Sequence, residues 1–380
     1  MPTQTTTNQA ALVSSLVPTL VPTLVPIAQA LAPLRAQIDS IDAQLLQLLS
    51  DRAKVALQVG AEKHARGEPV YHPEREAQVL ARLAERNPGP LKTEGLQSIW
   101  REVMSACRAI EAAQVVAFLG PAGTYSEQAV YAQFGRSVTA LPCASIDAVF
   151  RAVEVGSANF GVVPVENSTE GVISRTLDLF LTTPLLICAE VALPIHHHLM
   201  TATGTMAGIT QIVGHAQTLA QCQGWLAANL PHIATQAVAS NGEGARLAAT
   251  TPHIAALAGS AALEHYQLKV VHERVQDDPH NRTRFAVIGN HATQPSGADQ
   301  TSLILSVHNQ AGAVYDMLKP LAEMGVSMTR FESRPARNGQ WDYYFYVDIK
   351  GHAADEFTAP ALAALKQKTA FYKLLGSYPV

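Results

Sequence analysis

The feature that most constrains the fold is a long amphipathic pattern that begins at Leu34, with apolar side chains mostly three or four positions apart. This spacing places them on one face of a helix, and Gly67 ends the pattern, so the helix is about 30 residues or about 45 Å long. The two helices predicted next, over residues 73–87 and 93–113, are shorter and cannot cover this face. We therefore expect an all-α domain over residues 34–113 that pairs with a second copy of the chain.

Residues 1–33 differ in composition from the rest of the chain, because they contain no Lys, Arg, Asp or Glu and repeat the unit Leu-Val-Pro-Thr. A secretory signal peptide carries a positive charge before its apolar stretch, whereas the first cation here is Arg35. Proline at every fourth position also interrupts a membrane-spanning helix. We predict a disordered N-terminal extension with polyproline character.

Charge and cysteine content exclude several classes of protein. The chain has 27 Lys and Arg against 31 Asp and Glu, a net charge of −4, and no basic block of the kind that nucleic-acid binders carry. Its four cysteines are widely spaced and form no CxxC pair, which argues against a disulfide scaffold or a zinc ribbon and favours a reducing cytoplasm. Beyond the N-terminal extension, no apolar run in the sequence is long enough to span a membrane.

The pattern changes at Gln114, after which short apolar strands, among them residues 115–119 and 254–258, alternate with helices up to about residue 290. This alternation predicts α/β architecture over residues 114–291. A polar linker follows, and residues 300–380 have the order strand, helix, strand, strand, helix and short strand, which predicts an α+β ferredoxin-like domain. The chain is therefore predicted to be multidomain, with all-α, α/β and α+β parts in that order.

Polar clusters lie at four strand ends of the predicted α/β part. They are a Gly-rich turn that ends at Thr124, the pair Glu166-Asn167, the segment from His215 to Gln221, and the segment Asn281–Phe285. The Gly-rich turn opens a helix, whose backbone N–H groups can receive a carboxylate. Clusters of neutral donors at several strand ends predict an anion-binding cleft between two lobes.

Four cations of the helical part, Arg35, Arg52, Lys63 and Arg75, are candidates for a second anion site. Arg52 and Lys63 are eleven residues apart, so on one helix they lie about 20° apart and about 16 Å along the same face. Arg35 lies about 100° from Arg52 around the helix, so it can join the same site only from a partner subunit. The alternative is that all four are solvated surface cations.

The helical part resembles the all-helical chorismate mutase family in the order and spacing of four stretches. These are Leu34-Arg35, the run from Leu45 to Arg52, the run from Val59 to Lys63, and the run from Pro73 to Glu76. The resemblance implies an interlocked dimer in which Arg52, Arg75 and the partner subunit's Arg35 hold the two carboxylates of chorismate. It also implies that Lys63 donates to the breaking ether oxygen and that Glu76 meets the substrate hydroxyl.

Two positions differ from the best-known bacterial members of that family. Cys107 and Glu111, four residues apart on one helix face, stand where a serine and a glutamine are expected. A charged Glu111 would repel the negative charge that develops on the ether oxygen, so its assigned role requires a protonated carboxyl and a mutase rate that falls as the pH rises. Cys107 is a candidate substrate contact, and the alternative is a small buried apolar residue.

The four polar clusters resemble the motifs of the prephenate dehydratase family, whose two lobes are similar to type 2 periplasmic binding proteins. The resemblance implies that Thr283 donates a hydrogen bond or a proton to the hydroxyl that leaves prephenate, and that Arg284 binds a carboxylate. It implies a pocket completed by Thr124, Glu166, Asn167, His215 and Gln221. Gly214 stands where many relatives have a serine. The run His196–His198 has no acidic or cysteine partner nearby in sequence, so neither a metal nor a cofactor is expected.

Residues 300–380 resemble an ACT domain of the type fused to prephenate dehydratase. In that family two stretches bind phenylalanine across a dimer interface. The matching residues here are Gly312, Ala313, Glu332, Ser333, Arg334 and Pro335. The alternative is a purely structural dimerisation module.

The domain order over residues 34–380 resembles that of the bifunctional chorismate mutase–prephenate dehydratases. This implies a cytoplasmic homodimer or larger homo-oligomer that converts chorismate through prephenate to phenylpyruvate in phenylalanine biosynthesis and is inhibited by phenylalanine. It implies an isomerase and a carbon-oxygen lyase, with no nucleic-acid or membrane partner. Two alternatives stay open: a non-catalytic amino-acid sensor, favoured by Gly214, Cys107 and His72, and an enzyme with only one of the two activities. The cation set together with Thr283 argues against the sensor.

Overall fold

The computed structural model describes residues 27–336 and 343–380, in two units that comprise Met1–Arg52 and Ala53–Val380. The helices are α1 (Ile27–Arg66), α2 (Pro73–Arg86), α3 (Thr93–Glu111), α4 (Tyr125–Phe134), α5 (Ile146–Glu154), α6 (Ser174–Thr182), α7 (Ala216–Gln221), α8 (Gln223–Asn229), α9 (Asn241–Thr250), α10 (Ala261–Tyr266), α11 (Ala313–Glu323) and α12 (Thr358–Gln367). The strands are β1 (Val115–Leu119), β2 (Thr139–Cys143), β3 (Phe160–Asn167), β4 (Gly171–Val172), β5 (Leu186–Pro194), β6 (His198–Thr201), β7 (Gln211–His215), β8 (Ala234–Val238), β9 (Ile254–Ala258), β10 (Lys269–His272), β11 (Arg282–Gly289), β12 (Asp299–Ser306), β13 (Met328–Pro335), β14 (Tyr343–Lys350) and β15 (Phe371–Pro379). No helix within the described ranges is long and apolar enough to cross a bilayer.

The described part of the first unit is the N-terminal portion of α1, and it confirms the long helix predicted from Leu34. Its apolar stripe faces solvent: Leu34, Ile38, Ile41 and Leu45 each expose between 50% and 56% of their surface. A row of large apolar side chains at helical spacing is seldom left in water, because its burial is the main stabilising contribution of an amphipathic helix.

The helix begins earlier than the sequence indicated. Disorder was predicted for residues 1–33, and this was wrong for residues 27–33, which form the first turns of α1, while residues 1–26 lie outside the described residues. Ala, Gln and Leu, which favour helix, make up most of this stretch. Pro33 lies within the helix, where it removes one backbone hydrogen bond without ending the element.

The second unit starts with the rest of α1 and continues with α2 and α3, which pack against each other and confirm the predicted helices to within two residues. Pro73 begins α2, where its missing N–H leaves no intrahelical bond unmade. Glu74 and Glu76 lie in the same first turn, where negative side chains interact favourably with the helix dipole.

The α/β part forms two lobes, as the alternation of strands and helices predicted. The sheet of the first lobe has the strand order β2-β1-β3-β11-β5, with β4 beside β3, and that of the second has the order β10-β6-β9-β7-β8. Strands β1 to β3 are mutually parallel where they pair, whereas β11 is antiparallel to both β3 and β5. The chain leaves the first lobe after β5 and returns with β11, so two crossings connect the lobes.

The C-terminal part is a four-stranded antiparallel sheet with the order β13-β14-β12-β15, which confirms the predicted α+β arrangement. One face packs against α11 and α12 around Leu303 and Val347. The other face packs on the first lobe, where Ile304 and Tyr346 share an apolar core with Ile187 and Ala286. The last strand, predicted to be short, has nine residues, because β15 pairs along the whole of β12.

We predict that Gly376→Ala destabilises the protein more than a matched glycine substitution does. Gly376 has φ +148°, and an added Cβ would overlap the backbone of Ile187 in the neighbouring sheet. The substitution therefore causes both backbone strain and a steric clash. Gly297, the control, has φ +98° but no atom within 4 Å of the added carbon. In urea unfolding, Gly376→Ala is expected to lower the free energy of unfolding by about 3 kcal/mol and Gly297→Ala by about 1 kcal/mol. Equal losses would contradict the close approach of β15 to β5.

Two candidate active sites

The first candidate site is built on the antiparallel pair of β3 and β11, which places Thr283 directly opposite Asn167. The Asn167 Nδ2 group donates to Thr283 Oγ1 at 2.8 Å and to Asn281 Oδ1 at 2.9 Å. Thr283 is 9% exposed. Because its oxygen accepts the bond from Asn167, the hydroxyl proton is available for an oxygen atom of a ligand. The structure therefore brings together two predicted site residues, Thr283 and Asn167.

A chain of hydrogen bonds continues from Asn281 across both crossings between the lobes. Asn281 Nδ2 donates to Gln221 Oε1 at 3.0 Å, and His197 Nε2 lies 2.9 Å from the same oxygen. His197 Nδ1 lies 3.0 Å from the Tyr125 hydroxyl. Since an amide oxygen only accepts, His197 carries its proton on Nε2. This chain joins α4 of the first lobe to α7 of the second.

Three members of this chain, Tyr125, His197 and Asn281, were absent from the predicted site. The signal for two of them was available, because Asn281 begins one of the polar clusters and Tyr125 directly follows the Gly-rich turn that ends at Thr124. His197 was considered only as a metal candidate. In the structure it is 1% exposed and bonded on both ring nitrogens to protein groups.

Two helix N-termini meet where the lobes contact each other. Thr124 caps α4 by accepting a hydrogen bond from the Glu127 N–H. The start of α9 packs closely on the turn that precedes α4, since a Cβ on Gly242 would lie 2.7 Å from the Ala122 carbonyl oxygen. His215 lies at the end of β7, where its backbone N–H donates to Asn241 Oδ1 at 2.9 Å. These helix ends direct backbone N–H groups toward the contact region, where their first turns also carry the carboxylates of Glu127 and Glu243.

Glu170 bridges the two lobes. Its carboxylate, in the turn between β3 and β4, accepts from Gln221 Nε2 at 3.3 Å and from Gln217 Nε2 at 3.4 Å. Gln221 therefore contacts the first lobe through Glu170 and the crossing through Asn281. Neutral amides and this carboxylate are part of the contact between the lobes, beside an ion pair of Arg136 with Glu264 at 3.1 Å.

The predicted substrate contacts of Glu166 and Arg284 stay predictions, and in this structure the two side chains pair with each other. Successive side chains of a strand point to opposite faces, so these two lie on the face of the sheet opposite Asn167 and Thr283. There Arg284 bonds to Glu166 at 3.2 Å, to Glu190 at 2.6 Å and to Asp348 of β14 at 3.0 Å. Three carboxylates already bind this guanidinium, so it faces the C-terminal sheet and not the cleft.

The second candidate site lies in the helical part of the second unit, where Lys63 and Glu111 come together. The Lys63 ammonium donates to the Val70 carbonyl at 2.9 Å and lies 3.9 Å from Glu111 Oε2. The role assigned to Glu111 in the mutase reaction stays a prediction. Cys107, one turn earlier on α3, is buried.

Glu76 has a partner that the sequence did not predict. Its carboxylate pairs with the guanidinium of Arg108, which is 4% exposed and also bonds to the Phe134 carbonyl. The predicted contact of Glu76 with the substrate hydroxyl stays a prediction. Arg75 is exposed, and the remaining cations, Arg35 and Arg52, lie on α1 within the first unit.

The predicted phenylalanine-binding residues lie at two places in the C-terminal sheet domain. Gly312 precedes α11 with φ +82°, a conformation that favours glycine, and Ala313 is the first residue of that helix. Residues 332–335 form the end of β13. There Arg334 donates to the Ser174 carbonyl at 2.6 Å and lies 3.2 Å from Asp178, which ties this stretch to α6 of the first lobe.

We predict that His197 makes stability depend on pH. Burial lowers the pKa of His197 from 6.5 to about 4. The unfolded chain therefore binds a proton at a higher pH than the folded chain, and the free energy of unfolding falls between about pH 7 and about pH 4, by up to about 3 kcal/mol. In urea unfolding at several pH values, His197→Gln, which can still donate to Gln221, is expected to show a weaker pH dependence than the unmodified chain. Identical pH dependence in the two proteins would contradict this prediction.

Comparison with known proteins gives a consistent result over the whole described chain. Residues 34–112 match the family model for chorismate mutase type II, residues 116–293 that for prephenate dehydratase, and residues 301–367 that for the ACT domain. A bifunctional chorismate mutase/prephenate dehydratase of Neisseria gonorrhoeae is 46% identical over 93% of this chain and 98% of its own length.

Two solved structures each resemble 70% of this chain. A prephenate dehydratase from Arthrobacter aurescens in complex with L-Phe has a TM-score of 0.64 and 31% identity, over 70% of this chain and 90% of its own. GqqA, described as a quorum quenching acylase, has a TM-score of 0.65 and 28% identity, over 70% of this chain and 98% of its own. The relative that spans all three domains is far more similar, and the chain therefore belongs to the family of bifunctional chorismate mutase/prephenate dehydratases.

Proposed function

We propose that this protein converts chorismate to prephenate at the helical site and prephenate to phenylpyruvate, carbon dioxide and water in the cleft between the lobes. The observation that carries the proposal is the Thr283 hydroxyl, which accepts from Asn167 and keeps its own proton for a ligand. A sensor has no need for such a donor beside an anion cleft. Both catalytic domains are present, in the order found in the Neisseria relative.

The dehydratase reaction needs a group that helps hydroxide to leave. As the carbon–oxygen bond of prephenate breaks, Thr283 donates to the departing oxygen, and loss of carbon dioxide supplies the electron pair that makes the ring aromatic. A threonine hydroxyl is a very weak acid, so hydrogen-bond donation suffices for its role. The helix N-termini at Thr124 and Asn241 supply backbone N–H donors for carboxylates.

The mutase reaction is a rearrangement within one molecule and needs no nucleophile. Its site must hold chorismate in a folded conformer and stabilise the negative charge that develops on the ether oxygen. Lys63 supplies a positive donor for that oxygen. Arg52 and Arg75, with the partner subunit's Arg35, bind the two carboxylates.

The mutase site requires a second copy of the chain. The exposed apolar stripe of α1, from Leu34 to Leu45, is the surface that the second copy covers. The same pairing brings the partner subunit's Arg35 to the site, which Arg35 of the same helix does not reach. The protein is therefore at least a homodimer in the cytoplasm, where its four cysteines, all thiols in the structure, stay reduced.

Phenylalanine is the ligand of the C-terminal domain and inhibits the dehydratase. The Arthrobacter aurescens structure with L-Phe supports this, as do the two stretches at Gly312-Ala313 and at residues 332–335. Arg334 belongs to the second stretch and contacts α6 of the first lobe, so a ligand there changes contacts with the catalytic domain. An effector acts by binding two states unequally, and this contact differs between them.

The proposal is tested by adding chorismate to the purified full-length protein and following chorismate loss and phenylpyruvate formation. Thr283→Ala is expected to lower phenylpyruvate formation by about 100-fold or more, because one donor to a developing negative charge is lost, while chorismate is still consumed. Lys63→Ala is expected to do the reverse: chorismate loss falls by a similar factor, and prephenate supplied directly is still dehydrated.

Assaying both activities distinguishes the proposed bifunctional enzyme from a sensor and from an enzyme with one activity. A protein that binds phenylalanine but consumes neither substrate is a sensor, and one that processes only one substrate has lost the other activity. If Thr283→Ala retains the dehydratase rate, the assigned role of the hydroxyl is wrong.

We predict that Arg334→Ala weakens feedback inhibition. With prephenate as substrate, the phenylalanine concentration for half-inhibition is expected to rise about tenfold, because the contact with α6 that couples ligand to lobe is removed. Lys319→Ala is the control, since this exposed cation of α11 pairs with Glu323 of the same helix at 3.5 Å. Unchanged inhibition in Arg334→Ala, or an equal change in Lys319→Ala, would contradict the coupling.

A further inference from the structure

Tyr71 belongs to the loop between α1 and α2, yet its side chain lies in the core of the first lobe of the dehydratase domain. It is 1% exposed. Its ring centroid lies 4.8 Å from that of Phe134 and 5.1 Å from that of Phe160. Its hydroxyl accepts a hydrogen bond from Gln133 Nε2 at 2.7 Å. A residue of the mutase loop therefore takes the place of a core residue of the other catalytic domain.

The residue before Tyr71 holds Lys63. The Val70 carbonyl accepts from the Lys63 ammonium at 2.9 Å. An ammonium has three donors, so Lys63 can keep this bond and give another to the ether oxygen of a substrate. Because Tyr71 is locked in the lobe, the carbonyl that orients Lys63 has a position set by the dehydratase domain.

Arg108 forms a second connection of the same kind. Its guanidinium bonds to Glu76 on one side and to the Phe134 carbonyl on the other, and its central carbon lies 5.0 Å from the centroid of the Tyr71 ring. Glu76 of α2 is thereby held against the same lobe. Two groups of the mutase domain, Lys63 and Glu76, thus depend for their position on contacts with α4 of the dehydratase domain.

We propose that Tyr71 is a positioning residue for the mutase reaction, through which the dehydratase lobe sets the position of Lys63. The inference rests on the proposed mutase function of Lys63. The contact makes the dehydratase domain part of the support of the mutase site, so the two activities share a structural element although they use separate pockets. Small displacements of a catalytic group lower the rate strongly, which makes this support measurable.

The test uses the full-length protein with Tyr71→Leu, which removes the ring and the hydroxyl. Lys63 stabilises charge that develops as the reaction proceeds, so the mutase kcat is expected to fall about tenfold with little change in the KM for chorismate. Dehydratase turnover of supplied prephenate is expected to stay within about twofold. Tyr71→Phe keeps the ring and loses only the hydrogen bond from Gln133, so its mutase kcat is expected to be about threefold below that of the unmodified chain.

Phe150→Leu is the matched control. Phe150 is 2% exposed in the other apolar core of the same lobe, so its truncation loosens the lobe to a similar degree without touching the loop. It is expected to leave the mutase kcat unchanged. If Tyr71→Leu does not fold, Gln133→Met removes only the hydrogen bond to the Tyr71 hydroxyl and is expected to lower the mutase kcat about threefold.

The outcomes are distinguishable. A mutase kcat equal to that of the unmodified chain in Tyr71→Leu, or in Gln133→Met, overturns the proposal. So does a parallel loss of both activities that Phe150→Leu reproduces, because the effect is then one of stability alone. An unmodified chain that does not consume chorismate refutes the proposed function itself, whereas a chain that consumes it but is indifferent to Tyr71 refutes only the positioning role.

Discussion

The pairing register of β3 with β11 is the constraint on which the dehydratase site depends. It sets Thr283 opposite Asn167 on one face of the sheet and Arg284 opposite Glu166 on the other. A shift by one residue would exchange the two faces, so that the arginine and its carboxylates would face the cleft. The buried apolar residues that follow on β11, from Phe285 to Ile288, stabilise this register, because the same shift would move each of their side chains to the opposite face of the sheet.

The same register also places β11, the strand of Thr283, in contact with the C-terminal sheet through Arg284. Arg284 binds carboxylates of β3, β5 and β14, and β14 belongs to the C-terminal sheet. Arg334 of β13 contacts α6, and Tyr71 packs into the first lobe, so the three domain types share cores and ion pairs within the second unit. The first lobe is the common neighbour: its sheet carries the dehydratase hydroxyl, its α4 receives the mutase loop, and its β5 lies against β15.

Periodicity predicted the elements that have a strongly patterned buried face. The helices α2 and α3 and the strands β1 and β9 were predicted almost to the residue, because each is short, apolar on the correct side and bounded by polar or turn residues. The edge strand β2 was missed, since Thr139–Cys143 is partly exposed and contains a proline. The length of β15 was underestimated, because Lys373 and Gly376 interrupt its apolar pattern, whereas its actual extent is set by pairing with β12.

The sequence by itself determined which chemistry the chain carries, because motifs such as the stretch around Thr283 and the spacing around Lys63 are local patterns of residue types. Only the tertiary structure decided which side chains meet. Arg284 faces three carboxylates, Glu76 pairs with Arg108, and His197 joins Gln221 to Tyr125, none of which a local pattern reveals. The physical reason is that these partners come together through strand pairing and domain packing, as when Tyr71 and Gln133, 62 positions apart, share one hydrogen bond.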